Sequence, residues 1–510
     1  MHGVTRVLTL SLLVAATLGA ARQPARAASY PSAASYPSAS IDASNWMGAL
    51  ADRIGDVPLN QLVIPGTHDS GTSSITGNPP DPFLKRVPFS PDQFGQEWSG
   101  GQMSALDGLA RHAILNRMFL PWGRAQDASI GQQLVEGARY LDLRVCGGPD
   151  PDQTLSICHG LYGGEIQSTV LTPVENFIRA HPQEVVILDF HRFASIGNQD
   201  RLTAAANQRL AGRIAATFAG QLIPPGSLGA GMTLNDIWRT PGRVIILYSD
   251  PATTRTNPSF WPYADTTIAW PATDRLTTLE QRVAANLRCG CDIRTGYAGS
   301  SSSFFDLQLQ LTPTTSMIRA GILDRYLDPG HFLHPPHSLL ELAASNKPLL
   351  ARLLTLLAQS PTLYRPHLNV ISTDFLETEP LVSLAEMLDS LPISSLIFHG
   401  APVSAAGSVP TIDTRATTVS VQAQGASTAD YPRICRLLAL ACPPIAAEAS
   451  VFSRVYPAGS VPPPFTRVPG FMASLNLSGL VGSYEIDYYA GGPLGSLEPM
   501  HRQMVALSGS

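Results

Sequence analysis

The residues with most to offer chemistry sit at the ends of three short apolar runs. IPGTHDS (64–70) closes the run LVI on His68 and Asp69, ARYLDLRVC (138–146) ends on Asp142 and Arg144, and LSICHG (155–160) ends on His159. A strand that finishes this way delivers its side chains to the mouth of a barrel. One His-Asp pair in a loop is usually a solvated turn, but successive strand ends carrying His, Arg and His form a pattern. Imidazole, with an ordinary pKa of ~6.5, can give or take a proton near neutrality. A guanidinium fork grips phosphate oxygens two at a time.

Such residues need a scaffold, and apolar runs supply one. Strand-like segments occur at QLVIP (61–65), YLDLRV (140–145), TLSIC (154–158), EVVILDF (184–190), RVIILYS (243–249), TTIAW (266–270), FFDLQLQL (304–311) and LNVISTDF (368–375). Helical patterns such as VENFIRAHP and LTAAANQRLAGRIAATFA separate them, which reads as parallel βα units. Eight runs suit a closed barrel. LLARLLTLLAQ (349–359) falls where a helix packs between the last two strands. A long Gly/Pro/aromatic-rich insertion (76–125), with Phe83, Phe89, Phe94, Trp98 and Trp122, follows the first strand and reads as a lid over the mouth, packed on the barrel or, in its 83–98 portion, guiding the chain onto a lipid surface. Beyond residue 395 the pattern turns to short alternating segments and a Pro-rich VYPAGSVPPPF, a C-terminal extension or small module.

Composition narrows the partners. The chain has 510 residues, 44% hydrophobic and 14% charged, with a net charge of −5. It can bury a large core, and it has no basic field to hold nucleic acid. Arg6, the apolar run LTLSLLVAATLGAA and the A-x-A pattern Ala25-Arg26-Ala27 read as an export signal over residues 1–27, too short to span a membrane with ~20 apolar residues. A secreted protein is expected. Residues 28–46, with a tandem ASYPSA repeat, offer nothing to bury and read as a disordered tether. Six cysteines suit an oxidising compartment, with local pairs possible at Cys146/Cys158, Cys289/Cys291 and Cys435/Cys442.

The series QLVIPGTHDS, WGRAQDASIGQQLVEGARYLDLRV, ICHG, HPQEVVILDF, GRVIILYS and NVISTDF resembles the X domain of phosphatidylinositol-specific phospholipase C in its small, secreted bacterial form. The resemblance implies a distorted (β/α)8 TIM barrel, here residues 47–394, followed by the extension 395–510. It implies two-histidine cleavage of a phosphodiester, with His68 as the base on the inositol 2-hydroxyl and His159 as the acid that releases diacylglycerol. Asp69 would position a proton donor on the phosphate side, and Asp374 would hold the base in one tautomer. The arginine version of the family is matched at Asp142-Leu143-Arg144, so Arg144 takes the place of a calcium ion and no metal or other cofactor is expected. His191, in LDFHRF, falls where the resemblance suggests a cationic contact to inositol or phosphate, and Tyr248 could stack on the sugar ring.

The expected partner is a phospholipid at a membrane surface, met by a monomer. Two other readings stay open: a related barrel phosphodiesterase acting on glycerophosphodiesters or sphingomyelin, and a barrel that binds without catalysing. HFLHPPH, with His331, His334 and His337, has metal-like spacing, but its Pro-Pro pair breaks any helix that would align the rings, so it reads as a polar loop.

Overall fold

The computed structural model describes residues 41–76, 89–92, 113–148, 154–226, 229–326, 335–346, 348–359 and 361–389, and, in the C-terminal part, 395–399, 403–404, 411–414, 418–422, 435, 438–439, 450–469, 472–491 and 501–508. Residues 41–46, which the sequence assigns to the tether, are folded, with Trp46 fully buried and its indole N–H donating to the Gly137 carbonyl (3.1 Å), because that indole has a core to enter. The export signal and the rest of the tether lie outside these residues. So does most of the 76–125 insertion, including Phe83, Phe94 and Trp98, as do Cys442, His331 and His334.

Runs such as Val186-Ile187-Leu188 and Ile245-Ile246-Leu247 are apolar on both faces, the signature of strands covered on both sides. They form the parallel strands β1 (Ile64–Thr67), β2 (Tyr140–Gly147), β5 (Val186–Ala194), β6 (Val244–Tyr248), β7 (Trp261–Pro262), β8 (Thr266–Ala269), β9 (Phe304–Gln308) and β10 (Val370–Thr373). Their order, β7-β6-β5-β2-β1-β10-β9-β8, curls the sheet into a barrel whose seam lies between β7 and β8. The short turn Tyr263–Asp265 joins those two strands, yet they do not pair with each other. This is the distorted eight-stranded α/β barrel the sequence predicts.

One stave differs from that expectation. TLSIC forms β3 (Leu155–His159), which runs antiparallel to β2 and to β4 (Leu161–Glu165), as a hairpin laid off the barrel. The reason is length: a parallel crossover needs a dozen or more residues, and the link from Gly147 to Leu155 is shorter. A disulfide between Cys146 and Cys158 laces the hairpin to the end of β2. The eighth stave is instead the two-residue β7, too short and too proline-bound to register as a strand in sequence.

Side chains alternate between the barrel interior and the helical layer. Tyr140, Ile187, Ile245, Leu247 and Val370 share one apolar cluster, while Leu141, Leu188, Phe190, Ile246 and Tyr248 belong to another with the helices. Pro348–Gln359 presents Leu349, Leu350, Leu353, Leu354 and Leu357 to that outer layer, as its pattern predicts. No helix among the described residues is long and apolar enough to cross a membrane.

From Ser395 onward the described strands pair only with one another. β11 (Ser395–His399), β14 (Thr418–Gln422) and β17 (Met472–Asn476) form one sheet. β12 (Val403–Ser404), β13 (Thr411–Asp413), β19 (His501–Ser508), β18 (Gly482–Gly491), β15 (Ser450–Pro457) and β16 (Thr466–Pro469) form a second, in that order. Ile412, Val419, Val451, Ile486 and Val505 make a core of their own. Cys289 and Cys291 are bridged, and Cys435 is disulfide-bonded.

Candidate active site

The end of β1 is built to hold a turn. His68 N–H donates to the Thr373 carbonyl (3.0 Å), so the β1/β10 ladder continues one residue past the strand and sets His68 beside Asp374. The Gln126 side chain donates to the His68 and Thr373 carbonyls (2.9 and 2.8 Å), stapling the two strand ends together. Asp69 then takes the left-handed conformation (φ 48°), which a non-glycine residue adopts only when its surroundings impose it. Thr72 secures it, its hydroxyl donating to the Asp69 carbonyl (2.7 Å). Gly71 is required there, because a Cβ would lie 2.5 Å from Ile157 of the hairpin.

Around this turn the three strand ends converge. His68 Nδ1 lies 2.8 Å from Asp374 Oδ1, and its Nε2 lies 3.4 Å from Asp69 Oδ2 and 3.9 Å from Asp142 Oδ2. His159 Nε2 lies 3.4 Å from the same Asp69 Oδ2, while its Nδ1 pairs with the Gly123 carbonyl (3.1 Å). The Arg144 guanidinium contacts Asp69 Oδ1 through Nε, and its Nη2 is 3.1 Å from His68 Nε2. Both histidines therefore turn one nitrogen to a fixed partner and the other toward a shared point beside a guanidinium.

No family model matches the chain. Among curated proteins, the PI-PLC X domain-containing protein 2 of Mus musculus is 30% identical over 281 residues, 55% of this chain and 73% of its own length. Its Homo sapiens counterpart is 28% identical over 281 residues, 55% of this chain and 81% of its own. The chain belongs to the PI-PLC X domain family. Among solved structures, the phosphatidylinositol-specific phospholipase C from Listeria monocytogenes overlaps 68% of this chain and 99% of its own at a TM-score of 0.41 and 16% identity, too loose to carry residue correspondences.

The X-domain site is electrostatically asymmetric. Burial pulls the His68 pKa down, but Asp69, Asp374 and Asp142 outweigh it and raise it to about 9. His159 moves the other way: burial lowers it, Asp69 offsets only part of that, and the Arg144 and His68 charges add to the lowering. Burial pushes Asp69 up, yet Arg144 and the histidines hold it well below the usual carboxylate range. Burial raises Asp374 despite its bond to His68. Arg144 loses hydration on burial, and the carboxylates of Asp69 and Asp142 more than restore its charge.

His68, Asp69 and Asp142 each offer an atom within 4.8 Å of the others, close enough to share a cation. Calcium, however, takes six to eight oxygens. This set supplies two carboxylates and an imidazole, with a guanidinium already against one of them. The donors do not fit calcium.

His68, Asp69, Arg144, His159 and Asp374 thus meet in one cluster, and His191 joins its edge: its Nδ1 lies 3.3 Å from Asp142 Oδ1 and 3.2 Å from Asp189 Oδ2. Burial lowers the His191 pKa, and those two carboxylates raise it to a net increase. Tyr248 does not belong. It is fully buried on the outer face of β6, its hydroxyl donating to Asn207 Oδ1 (2.8 Å), with Phe190, Phe193 and Phe260 around its ring. The aromatic ring at the mouth is Tyr263, 37% exposed and stacked on His191 at 6.0 Å.

Sequence reasoning also missed Asp189, which takes a hydrogen bond from the Tyr140 hydroxyl, and Asp142 as the link between His191 and the Asp69 turn, whose N–H it accepts at 3.3 Å. Strand parity would have found both. Asp142 and Arg144 lie two apart on β2, Asp189 and His191 two apart on β5, and Asp142 pairs in register with Asp189. Of the aromatic residues in the insertion, Phe89 and Trp122 are buried, and Phe89 packs edge-on against Phe119. The segment 89–92 is pinned beside His159: Ser90 N–H donates to the Gly160 carbonyl (2.9 Å), and Asp92 accepts from Gly160 N–H (3.0 Å).

Proposed function

We propose that the chain is a secreted phosphodiesterase that cleaves phosphatidylinositol-type lipids to inositol 1,2-cyclic phosphate and diacylglycerol, as a monomer at a membrane surface and without a metal. The observation that carries this reading is the convergence of two imidazoles on one carboxylate oxygen beside Arg144. Cyclisation needs that set. His68 takes the proton of the 2-hydroxyl, its oxygen attacks phosphorus, and the bond to the glycerol oxygen breaks. His159 protonates that oxygen as it leaves, and Arg144 balances the charge on the phosphate. Asp374 keeps the His68 proton on Nδ1, and the Gly123 carbonyl does the same for His159, so each Nε2 is the working atom.

In the free site the resting charges run against these roles, since His68 is raised and His159 lowered. The productive form, with His68 neutral and His159 charged, is a minority species that phosphate binding must favour. Exchanged roles, with His159 as base, are the second reading, and the resting charges favour it. An inositol phosphodiester with a p-nitrophenolate leaving group separates the two, because that leaving group needs no proton. Recovery of His159→Ala alone on this substrate supports the assignment given, and recovery of His68→Ala alone supports the exchange. Phosphatidylinositol, phosphatidylcholine, sphingomyelin and glycerophosphoinositol tested together, with and without EDTA, separate this function from the related phosphodiesterases. No turnover on any of them leaves a binding barrel.

A further inference from the structure

The C-terminal module carries its most exposed apolar side chains at one end. β15 and β18 pair antiparallel with Pro457 opposite Tyr484, so the loop leaving β15 and the loop entering β18 emerge together, joined by the Ala458 N–H to Ser483 carbonyl bond (2.9 Å). Val461, on the first loop, is 90% exposed, and Val481, on the second, is 63% exposed, the highest values for large hydrophobic residues among the described residues. Neither 457–466 nor 474–484 contains a charged residue.

These loops are braced from behind. Pro462, Pro463 and Pro464 restrict the backbone of the first. The Arg454 guanidinium lies over Phe465 at 4.1 Å, donates to the Pro463 carbonyl (3.2 Å), and is itself held by Asp487 (2.7 Å). In the second, the Thr414 hydroxyl donates to the Leu480 carbonyl (2.8 Å). Single exposed valines are ordinary, but two this exposed, on uncharged, braced loops whose roots are bonded together, stand apart from that background. An exposed cation, Arg467, stands at the foot of the first loop.

We propose that these two loops are a lipid-contacting tip, with Val461 and Val481 entering the headgroup boundary and Arg467 facing lipid phosphates. The inference rests on the lipid-substrate reading of the barrel. A bilayer fits better than a protein partner because the tips are aliphatic and uncharged with an exposed cation at their foot, complementary to lipid tails and phosphates, whereas protein interfaces centre on aromatic or arginine anchors seated in pockets. Such a tip would hold the barrel near its substrate and raise its effective concentration.

The test uses the full chain carrying His68→Ala, so that lipid survives, and vesicles of phosphatidylcholine with and without phosphatidylinositol. Val461→Glu combined with Val481→Glu should weaken co-sedimentation by roughly tenfold or more. In a His68 background the same pair should keep the melting temperature and the turnover of a soluble inositol phosphodiester. Val461→Trp should show a blue-shifted emission on adding vesicles. Unchanged sedimentation of the double variant, or no spectral shift, overturns the proposal. So does a wild-type dimer in light scattering that the double variant dissociates, which would assign the tips to contact between copies. If no phosphodiester is turned over yet vesicle binding depends on the tips, the catalytic reading fails and this one stands.

Discussion

Two arginines flank the start and the close of β2, the buried Arg139 just before it and the half-buried Arg144 within it, and they are used differently. Arg139, at the foot of the barrel, has no exposure: it pairs with Glu184 (2.7 Å) and donates to the carbonyls of Leu134, Ala138, Ala43 and Ser44. Glu184 in turn accepts from the Met47 and Gly48 N–H groups. Arg144, at the mouth, meets Asp69 and His68, groups that titrate, and 23% of its side chain stays open to solvent. An arginine bound by backbone carbonyls is a fixed part of the fold. One held by side chains in an open mouth can exchange them for an anion.

The comparison breaks most sharply at Arg144. Arg144→Met should lower kcat/KM on phosphatidylinositol by about 10²- to 10⁴-fold while lowering the melting temperature less than Arg139→Met does, because His68 and His159 still face the buried Asp69 carboxylate. Arg144→Lys should recover little turnover because a point charge lacks the fork. Circular dichroism melts beside turnover decide it; a large fall in melting temperature would make Arg144 structural. Arg139→Met should do the reverse, costing about 3–5 kcal/mol of stability by leaving the buried Glu184 without its guanidinium partner, while turnover per folded molecule is kept. Adding Glu184→Leu should restore part of that loss in chemical denaturation, and failure to do so would show that the carbonyl contacts dominate.

A smaller effect concerns protons. The pH profile of kcat/KM should be bell-shaped, with its alkaline limb near the His68 value of about 9 and its acid limb below the ordinary imidazole value, from His159. Asp374→Asn should move the alkaline limb toward neutrality, and an unmoved limb would separate Asp374 from the base. The sign for stability follows from the same shift. His68 is raised when folded, so its stabilisation is complete below ~6.5 and is lost as pH rises through about 9. The melting temperature should therefore fall across that window in the native chain and less in His68→Gln. The smallest effect is expected from EDTA, which should leave turnover unchanged, because Arg144 stands where the charge is needed; loss restored by calcium would overturn that role.

The sequence made the strand ends legible because a buried parallel strand reads as an uninterrupted apolar run, and the polar residue that ends it faces the mouth. His68, Arg144 and Asp374 followed directly. His159 was found with the wrong support, since an apolar run does not say whether its strand is parallel, and only the short link back to β2 tells. Tyr248 failed on parity. It pairs in register with Phe190, whose neighbours Asp189 and His191 face the site, so the tyrosine has to face the helices. Tyr263 was invisible because a two-residue strand carries no period.

The Cys146–Cys158 bridge gives the site a history. The proposed base stands on a barrel stave, whereas the proposed acid stands on a flap whose tether is a covalent bond made after translation. Barrel closure and site assembly are then separable events, the first driven by apolar burial and the second completed by oxidation. A preparation folded under reducing conditions would contain an intact barrel whose acid is held by hydrogen bonds and packing alone, and its specific activity would report the redox handling of the sample.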